Sequence, residues 1–409
     1  MDVLVIGSGA REHALCRSLD LDEDVDRLIC APGNAGTASI AETASVDVAD
    51  PHAVAALAES LAVDLVIIGP EVPLVAGAAD AVRAKGIACF GPSAEAARLE
   101  GSKAFAKEVM AAADVPTAMA HVCETPDEVA VALDAFGPPY VVKDDGLAAG
   151  KGVVVSADRD AALAHAAQCQ RVVVEEYLDG PEVSLFAITD GTTVVPLEPA
   201  QDFKRAGDGD TGPNTGGMGA YSPLPWAPGS LVEDVVRLVA QPTIDEMHRR
   251  GTPFAGLLYC GLAVTERGLR VVEFNARFGD PETQVVLARL LTPLGGVLQA
   301  AATGHLEQVP DLRWSSDAAV TVVVAAEGYP DSPRIGDEVG GLDAASDVDG
   351  AYVLHAGTRL QDGVVVSSGG RVLSVVGTGT DIAEARRVAY EATDLVTLAG
   401  SHHRTDIAG

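Results

Sequence analysis

The amino-terminal part of the chain alternates apolar runs of strand length with amphipathic stretches. The apolar runs are DVLVIG (2–7), RLICAP (27–32), DLVIIG (64–69) and GIACFGP (86–92). Between them, stretches such as AREHALCRSL and PHAVAALAESL repeat apolar residues at helical spacing. Strands that alternate with helices form a parallel sheet with helices on both faces. We therefore predict an α/β domain over residues 1–98.

The middle of the chain combines helices with hairpins. EAARLEGSKAFAKEVMAAA (95–113) predicts one long helix, and YVVKDDGLAAGKGVVVSA (140–157) predicts two strands joined by a glycine loop. FAGLLYCGLAVTERGLRVVEFN (254–275) predicts two antiparallel strands around a TERG turn. PLEPAQDFKRAGDGDTGPNTGGMGAYSP (196–223) is polar and glycine-rich, and we expect a long irregular loop of functional kind.

The last part of the chain has a different pattern. From about residue 316, short strands with glycine turns surround one amphipathic helix, DIAEARRVAYEATDLV. We predict a separate, small α+β domain over residues 306–409, with little chemistry of its own.

Composition and charge exclude several classes of protein. No apolar run is long enough for a membrane span, and MDVLVIGSGA lacks the pattern of a signal peptide, so we expect a cytoplasmic protein. The formal net charge of −31 disfavours nucleic-acid partners, because such surfaces are basic. The acidic residues are spread along the chain, which predicts adaptation to high salt. The six cysteines form no C-x-x-C pair, which disfavours zinc and a disulfide scaffold.

The first glycine loop departs from the dinucleotide pattern. It reads Gly7-x-Gly9-x-x-Glu12, with a glutamate in place of the third glycine. The second strand ends in CAP and lacks the acid that binds a ribose in dinucleotide sites. An NAD-dependent oxidoreductase is therefore disfavoured. A loop before a helix still suits a phosphate group.

The hairpin at 140–157 carries a second glycine loop. Gly146, Gly150 and Gly152 let backbone N–H groups approach an anion, and Lys143 and Lys151 flank them. Lysine is otherwise scarce in this chain. The loop does not match the usual P-loop spacing. A flexible surface hairpin is the alternative, and we favour phosphate binding.

Oxygen-bearing side chains follow two further strands. In VVEFNARFGDPETQ (271–284), Glu273 and Asn275 face the same way if the strand is regular, and Arg277 follows if the strand continues. Carboxylate and amide oxygens suit Mg²⁺ that also binds substrate phosphates. Glu175 and Glu176 end another strand, where carboxylates bind ribose hydroxyls or are simply solvated.

These motifs resemble a known family. The E-x-N strand and the K-x-x-G-x-x-x-G-K-G hairpin resemble the ATP-grasp superfamily. GSGAREHAL, PGNAGT, GPEVPLVAG, GSKAFAK, GLAAGKGV, DTGPNTGGMGAYSP and EFNARFGDPETQ together resemble the phosphoribosylamine–glycine ligases of purine biosynthesis. The resemblance implies an ATP-grasp core over residues 99–305, with a nucleotide-covering subdomain at about 118–180. It also implies a monomer that joins glycine to 5-phosphoribosylamine, using ATP and Mg²⁺ or Mn²⁺, through glycyl phosphate.

The resemblance assigns roles to matching positions. For ATP they are Lys103, Lys143, Gly150, Lys151 and Gly152, with Glu175, Glu176, Tyr177 and Glu182 for adenine and ribose. For the metal they are Glu273 and Asn275, and for catalysis Arg277, Lys204, Asp202 and Asp280. For the substrates they are Gly7, Gly9, Asn214, Thr215, Gly216, Gly217 and Met218.

Three positions depart from the family pattern. Phe203 stands where members usually have histidine, and Asp144 where they usually have alanine. The stretch LYCGLAV lacks the second metal-binding acid of many ATP-grasp enzymes. The alternatives are another ATP-grasp carboxylate–amine ligase, a purine-pathway carboxylase, or a nucleotide sensor without catalysis.

Overall fold

The amino-terminal part forms a parallel sheet with helices on both faces, as predicted. The computed structural model describes residues 1–147 and 152–409. The strands run in the order β3-β2-β1-β4-β5, and apolar side chains on both faces of the sheet are buried. The elements are β1 (Asp2–Gly7), α1 (Ala10–Asp20), β2 (Arg27–Pro32), β3 (Glu42–Thr43), α2 (Pro51–Leu61), β4 (Leu65–Ile68), α3 (Glu71–Ala76), α4 (Ala78–Ala84) and β5 (Ala88–Phe90).

The helix predicted over residues 95–113 is two helices, α5 (Ala94–Gly101) and α6 (Lys103–Ala112). Ser102 has extended backbone angles, and its hydroxyl accepts the N–H of Phe105. Serine favours such N-cap positions over helix interiors, which is why the chain breaks there. The break places Lys103 at the first position of α6 instead of inside a helix.

A small sheet stands apart from the main body and has its own apolar core. Its strands run antiparallel in the order β6-β9-β7-β8, so the predicted hairpin around the second glycine loop is confirmed as the pair β7–β8. The elements are β6 (Ala120–Cys123), α7 (Pro126–Phe136), β7 (Tyr140–Asp144), β8 (Val153–Ser156), α8 (Arg159–Ala166) and β9 (Val172–Glu175). We call this unit the covering lobe.

The central part is built on the sheet β11-β10-β16-β17, in which β16 and β17 form the second predicted hairpin. A π-helical turn (Val236–Ala240) lies between α9 and α10. The elements are β10 (Glu182–Asp190), β11 (Val194–Pro196), β12 (Gln201–Asp202), β13 (Arg205–Gly207), β14 (Thr211–Asn214), β15 (Gly219–Ser222), α9 (Leu231–Val235), α10 (Gln241–Arg249), β16 (Ala255–Thr265), β17 (Gly268–Asn275), α11 (Glu282–Arg289) and α12 (Leu294–Thr303).

The last part is an α+β unit, as predicted. Its largest helix, α14, packs against β23 and β18. The elements are β18 (Ala318–Ala325), β19 (Val339–Gly340), α13 (Leu342–Ser346), β20 (Ala351–His355), β21 (Thr358–Gln361), β22 (Val364–Ser367), β23 (Arg371–Gly379), α14 (Ile382–Thr393) and β24 (Thr397–Leu398). Within the described ranges, no helix combines the length and apolar character that a membrane crossing requires.

One expectation about this half of the chain was wrong. The segment 196–223 is not irregular, because it contains four short strands, and β13 and β14 pair as a hairpin. The sheet of the carboxy-terminal unit also extends into this segment. Its strand β18 pairs antiparallel with β15, so one sheet runs in the order β12-β15-β18-β23-β20. The glycine-rich segment is therefore joined directly to the carboxy-terminal unit.

Candidate active site

The end of strand β17 presents two oxygen-bearing side chains. Glu273 and Asn275 both lie within the strand, two positions apart, as the alternating pattern predicts. Glu273 lies opposite Gly261 of β16, the strand in which the expected second acid is missing. Lys103 is close enough for its pKa to be raised by Glu273, although burial lowers that pKa overall. The carboxylate of Glu273 thus lies within electrostatic reach of Lys103.

Arg277 does not continue the row, because β17 ends at Asn275. Its guanidinium forms ion pairs with Glu71 at 3.2 Å and Glu100 at 3.1 Å. Glu100 also accepts the backbone N–H of Ala276 at 2.7 Å. Burial raises the pKa of Glu100, and Arg277 opposes that rise. Arg277 is therefore held by two acids that come from earlier segments of the chain.

The covering lobe contacts β17 through a buried charge cluster. Lys143 donates to Glu175 Oε2 and to the carbonyl of Val272, both at 2.8 Å. Lys107 binds the other oxygen of Glu175 at 3.0 Å. Although burial works against the charge, these two lysines hold the pKa of Glu175 below its usual value. In this structure the carboxylate of Glu175 binds both lysines, and its role in binding a nucleotide stays a prediction.

The structure describes several of the other residues predicted for ATP. Lys103 Nζ donates to the carbonyl of Gly146 at 3.0 Å. Glu176 accepts from the N–H of Met119 and from Arg267, each at 3.1 Å. Tyr177 is half exposed, Gly152 is buried, and Gly150 and Lys151 lie outside the described residues.

Lys204 lies among acids. It forms an ion pair with Glu182, which lowers the pKa of that carboxyl group. Asp202 is two residues away along the chain, and its position deep in the cleft raises its pKa to about 7. Lys204 opposes this rise, whereas the neighbouring Glu282 and Glu273 add to it. Asp202 is thus a carboxyl group that changes charge near neutral pH.

Beneath this group lies a buried network that the sequence did not reveal. Glu282 Oε1 accepts from the hydroxyl of Tyr259 at 2.8 Å and from that of Ser184 at 2.9 Å. Glu282 is only 3% exposed. Both hydroxyls come from strands of the central sheet, so the network joins α11 to β10 and β16.

We expect Asp202→Asn to remove a pH dependence. In the unaltered enzyme, kcat/KM for the substrates should rise as pH passes through about 7, because ionised Asp202 attracts the ammonium of Lys204. The value belongs to the coupled acidic group and not to one carboxyl group alone. Steady-state rates from pH 5.5 to 9 measure this. Asp234→Asn, at an exposed ion pair on α9, is the control. An unchanged inflection in Asp202→Asn would contradict the assignment.

The loop between β1 and α1 is filled by the side chain of Glu12, which lies in the first turn of α1. The N–H of Gly9 donates to Glu12 Oε2 at 2.6 Å, and Arg11 binds Glu12 Oε1 at 2.6 Å. A Cβ at Gly7 would lie 2.5 Å from Glu12 Cγ. Glu12 therefore lies against both Gly7 and Gly9, and the binding of a phosphate by this loop stays a prediction.

A cavity of about 270 Å³ lies between the 214–216 loop and the carboxy-terminal unit. Asp280 lies beside it and binds Arg371 at 3.3 Å and Gln284 at 2.8 Å. Burial opposes its charge, but Arg371 holds the pKa of Asp280 below its usual value. The cavity is lined by Asn214, Thr215, Gly216, Tyr329, Pro330, Pro333, Gly370 and Arg371.

The segment 214–218, which begins at the cavity, is held by hydrogen bonds and by close packing. The N–H of Gly216 donates to the hydroxyl of Tyr329 at 3.0 Å, and its carbonyl accepts from Arg371. Gly217 has φ +109°, and a Cβ there would lie 2.4 Å from Pro281. Met218 is fully buried. This corrects its assignment as a substrate contact, whereas Asn214, Thr215 and Gly216 do line the cavity.

Sequence reasoning missed the partners that come from far along the chain. Arg371 and Tyr329 belong to a unit that we had read as poor in chemistry. Glu100 directly precedes the GSK motif and Glu282 lies within GDPETQ, so their positions next to motifs could have marked both as candidate site residues. The scarcity of lysine also pointed to Lys107.

Comparisons with known proteins agree with this architecture. Three family models of phosphoribosylglycinamide synthetase match the chain, the N domain at residues 1–100, the ATP-grasp (A) domain at 101–283 and the C domain at 319–409. A phosphoribosylamine–glycine ligase of Streptomyces coelicolor is 70% identical over 410 residues, covering 100% of this chain and 99% of the relative.

Solved structures give the same result. The crystal structure of phosphoribosylamine–glycine ligase from Thermotoga maritima has a TM-score of 0.86 at 33% identity and covers 100% of both chains. The biotin carboxylase domain of Hydrogenobacter thermophilus 2-oxoglutarate carboxylase has a TM-score of 0.74 at 17% identity, covering 98% of this chain and 91% of that one, and shares the fold alone. With all three domains matched in order, the chain belongs to the phosphoribosylamine–glycine ligase (phosphoribosylglycinamide synthetase) family.

Proposed function

We propose that the chain is the ATP-dependent ligase that joins glycine to 5-phosphoribosylamine, giving glycinamide ribonucleotide, ADP and phosphate in purine biosynthesis. One observation carries the proposal. The segment 273–282 has Lys103 and Lys143 near one end, and the Asp280–Arg371 ion pair beside a cavity near the other. A nucleotide and a phosphorylated amine can therefore approach the same segment from two sides.

The residues at the end of β17 fit a divalent cation. Mg²⁺ usually takes one or two protein oxygens and completes its shell with phosphates and water. Glu273 and Asn275 supply such a pair and would hold Mg²⁺, with Mn²⁺ as the alternative. When bound, the ion supplies positive charge that offsets the charge of the ATP phosphates.

The other residues bind and orient the reactants. Lys103 and Lys143 lie where positive charge can neutralise phosphates, and the covering lobe excludes water. We assign Arg277 to the acyl phosphate of activated glycine, whose charge its planar guanidinium suits. Arg371, beside Asp280, is the cation for the phosphate of the ribosylamine. Holding amine and acyl phosphate together converts their reaction to an intramolecular one.

ADP release from Mg·ATP tests the proposal, with glycine and phosphoribosylamine added singly and together. We expect ADP only, or greatly increased, when both are present. No response to either substrate in folded protein would leave the ATP-grasp fold in place and the substrates wrong. Another ATP-grasp carboxylate–amine ligase or a purine-pathway carboxylase would then be tested with other acids, amines and bicarbonate.

The charge of −31 predicts that stability and activity depend on molar salt. Self-repulsion between carboxylates is screened by salt, so the unfolding temperature should rise steeply between dilute buffer and 2 M KCl. Calorimetry and the ADP assay across that range measure this, with sucrose as a control for excluded-solute effects. Full stability in dilute buffer would remove the high-salt interpretation.

The cytoplasmic location and the monomeric state of the protein also stay predictions.

A further inference from the structure

Residues 401–409 lie across the β13–β14 hairpin. The N–H of Thr405 donates to Asp208 at 2.8 Å, and Asp406 accepts the N–H of Gly209 at 2.7 Å. His402 contacts the carbonyl of Ala206 at 3.2 Å. The hairpin is largely exposed on its other side, so this segment supplies much of what holds it.

Arg404 is the centre of this contact. Its side chain is 1% exposed and binds Asp210 and Asp406, each at 2.7 Å, and the carbonyl of Arg205 at 3.2 Å. The guanidinium carbon lies 4.9 Å from the centre of the Phe203 ring, which is a cation–π contact. A buried guanidinium with two carboxylate partners and an aromatic face is fixed in position.

Phe203 passes that constraint to the reaction site. It stands between Asp202 and Lys204, and its backbone pairs with Gly219 at 3.0 Å and Met218 at 2.8 Å. The carbonyl of Lys204 accepts the N–H of Thr215 at 2.7 Å. Phe203 and Lys204 therefore lie between β12 and β13, and their backbone groups pair with the residues in and after the cavity-lining loop.

We propose that Arg404 is a positioning residue for the substrate side of the reaction site. It touches no reactant, and it acts by holding Phe203, so that Asp202, Lys204 and the 214–216 loop keep their mutual geometry. The inference rests on the proposed function. It also explains how Phe203, which lacks any acid–base group, serves the site through packing.

The test uses the full chain with Arg404→Met, Arg404→Lys and Phe203→Leu. We expect Arg404→Met and Phe203→Leu to raise KM for glycine and for phosphoribosylamine by about tenfold, with KM for ATP changed by less than about twofold. Lys204 binds Glu182, which is predicted for ATP, but Lys103 and Lys143 come from other elements, so KM for ATP should respond less. Arg404→Lys keeps the charge without the planar fork and should restore part of the loss. Arg387→Met, at an exposed ion pair on α14, is the matched control.

Hydrogen exchange over residues 203–219 gives a readout independent of turnover. Faster exchange there in Arg404→Met and Phe203→Leu, but not in Arg387→Met, supports the proposal. Lower thermal stability with all three KM values unchanged would overturn it and leave Arg404 a purely structural residue. If Arg404→Met fails to fold, Phe203→Leu decides by the same criteria. Unaltered enzyme that releases no ADP with both substrates would refute the proposed function instead, while exchange still tests Arg404.

Discussion

Glu273→Gln is expected to keep the fold and to lower turnover by at least about a hundredfold. The change preserves the size of the side chain and removes the negative charge. Glu273 is the carboxylate of the proposed metal pair, and Gly261 opposite it carries no side chain that could replace it. Removing the charge should therefore weaken Mg²⁺ binding together with ATP.

Titration calorimetry with Mg·ATP and the ADP assay measure the two effects separately. Glu266→Gln, an exposed glutamate in the turn between β16 and β17, controls for loss of a charge in the same hairpin. Raising the Mg²⁺ concentration should restore part of the activity of Glu273→Gln. Normal turnover at ordinary Mg²⁺ concentration would refute the assignment of Glu273 to the metal.

Arg277→Met should reduce both activity and stability, and the loss of stability should depend on pH. Turnover should fall by about a hundredfold or more, since a donor for a developing charge is lost. The variant leaves Glu71 and Glu100 without their shared cation. Removing one partner of a buried pair costs about 3 kcal/mol.

The direction of the pH effect follows from Glu100. Burial already raises its pKa in the folded state, and losing Arg277 raises it further. A group whose pKa is higher in the folded than in the unfolded protein contributes stability at low pH, and this is lost as pH rises through the folded value. Arg277 helps to lower the pKa of Glu71, so Glu71 stabilises the unaltered protein at pH values above its unfolded pKa. The variant loses this contribution in that pH range. The deficit of Arg277→Met should therefore be small near pH 5 and large near pH 8.

Two further variants separate the roles of Arg277. Arg277→Lys keeps a cation between the two acids and should retain most of the stability while losing activity. Adding Glu100→Gln to Arg277→Met should recover stability at pH 8 without recovering turnover. Urea unfolding at both pH values and the ADP assay give the data. A double variant as unstable as Arg277→Met alone would show that the paired charges are not the cause.

The periodic patterns of apolar residues predicted the secondary structure and its pairing into sheets and hairpins. The parallel sheet, the two hairpins and the alternation that places Glu273 and Asn275 together all follow from periods of apolar residues. The N-cap at Ser102 also had a local signal, but the strong helical pattern on either side concealed it. Local pattern reasoning therefore predicted that the two side chains proposed for the metal lie on one strand, as they do.

Contacts between distant segments could not be derived in this way. Glu100 and Glu71 meet Arg277, and Arg371 meets Asp280, only because the fold brings them together. Side-chain pairings of this kind leave no period in the sequence. The same holds for Glu175, whose carboxylate is predicted to bind a nucleotide and also binds Lys107 and Lys143.

The pairing of β15 with β18 bears on the order of assembly. Gly219–Ser222 pairs on one side with the preceding strand β12, but on its other side with Ala318–Ala325, far along the chain and beyond the whole β16–β17 hairpin. During synthesis the segment 214–222 therefore emerges long before the strand that completes its sheet. Closing so long a stretch of chain carries an entropic cost and slows folding. We therefore expect the cavity proposed for the second substrate to be among the last parts of the molecule to form, and an incomplete chain to bind a nucleotide before it can catalyse a ligation.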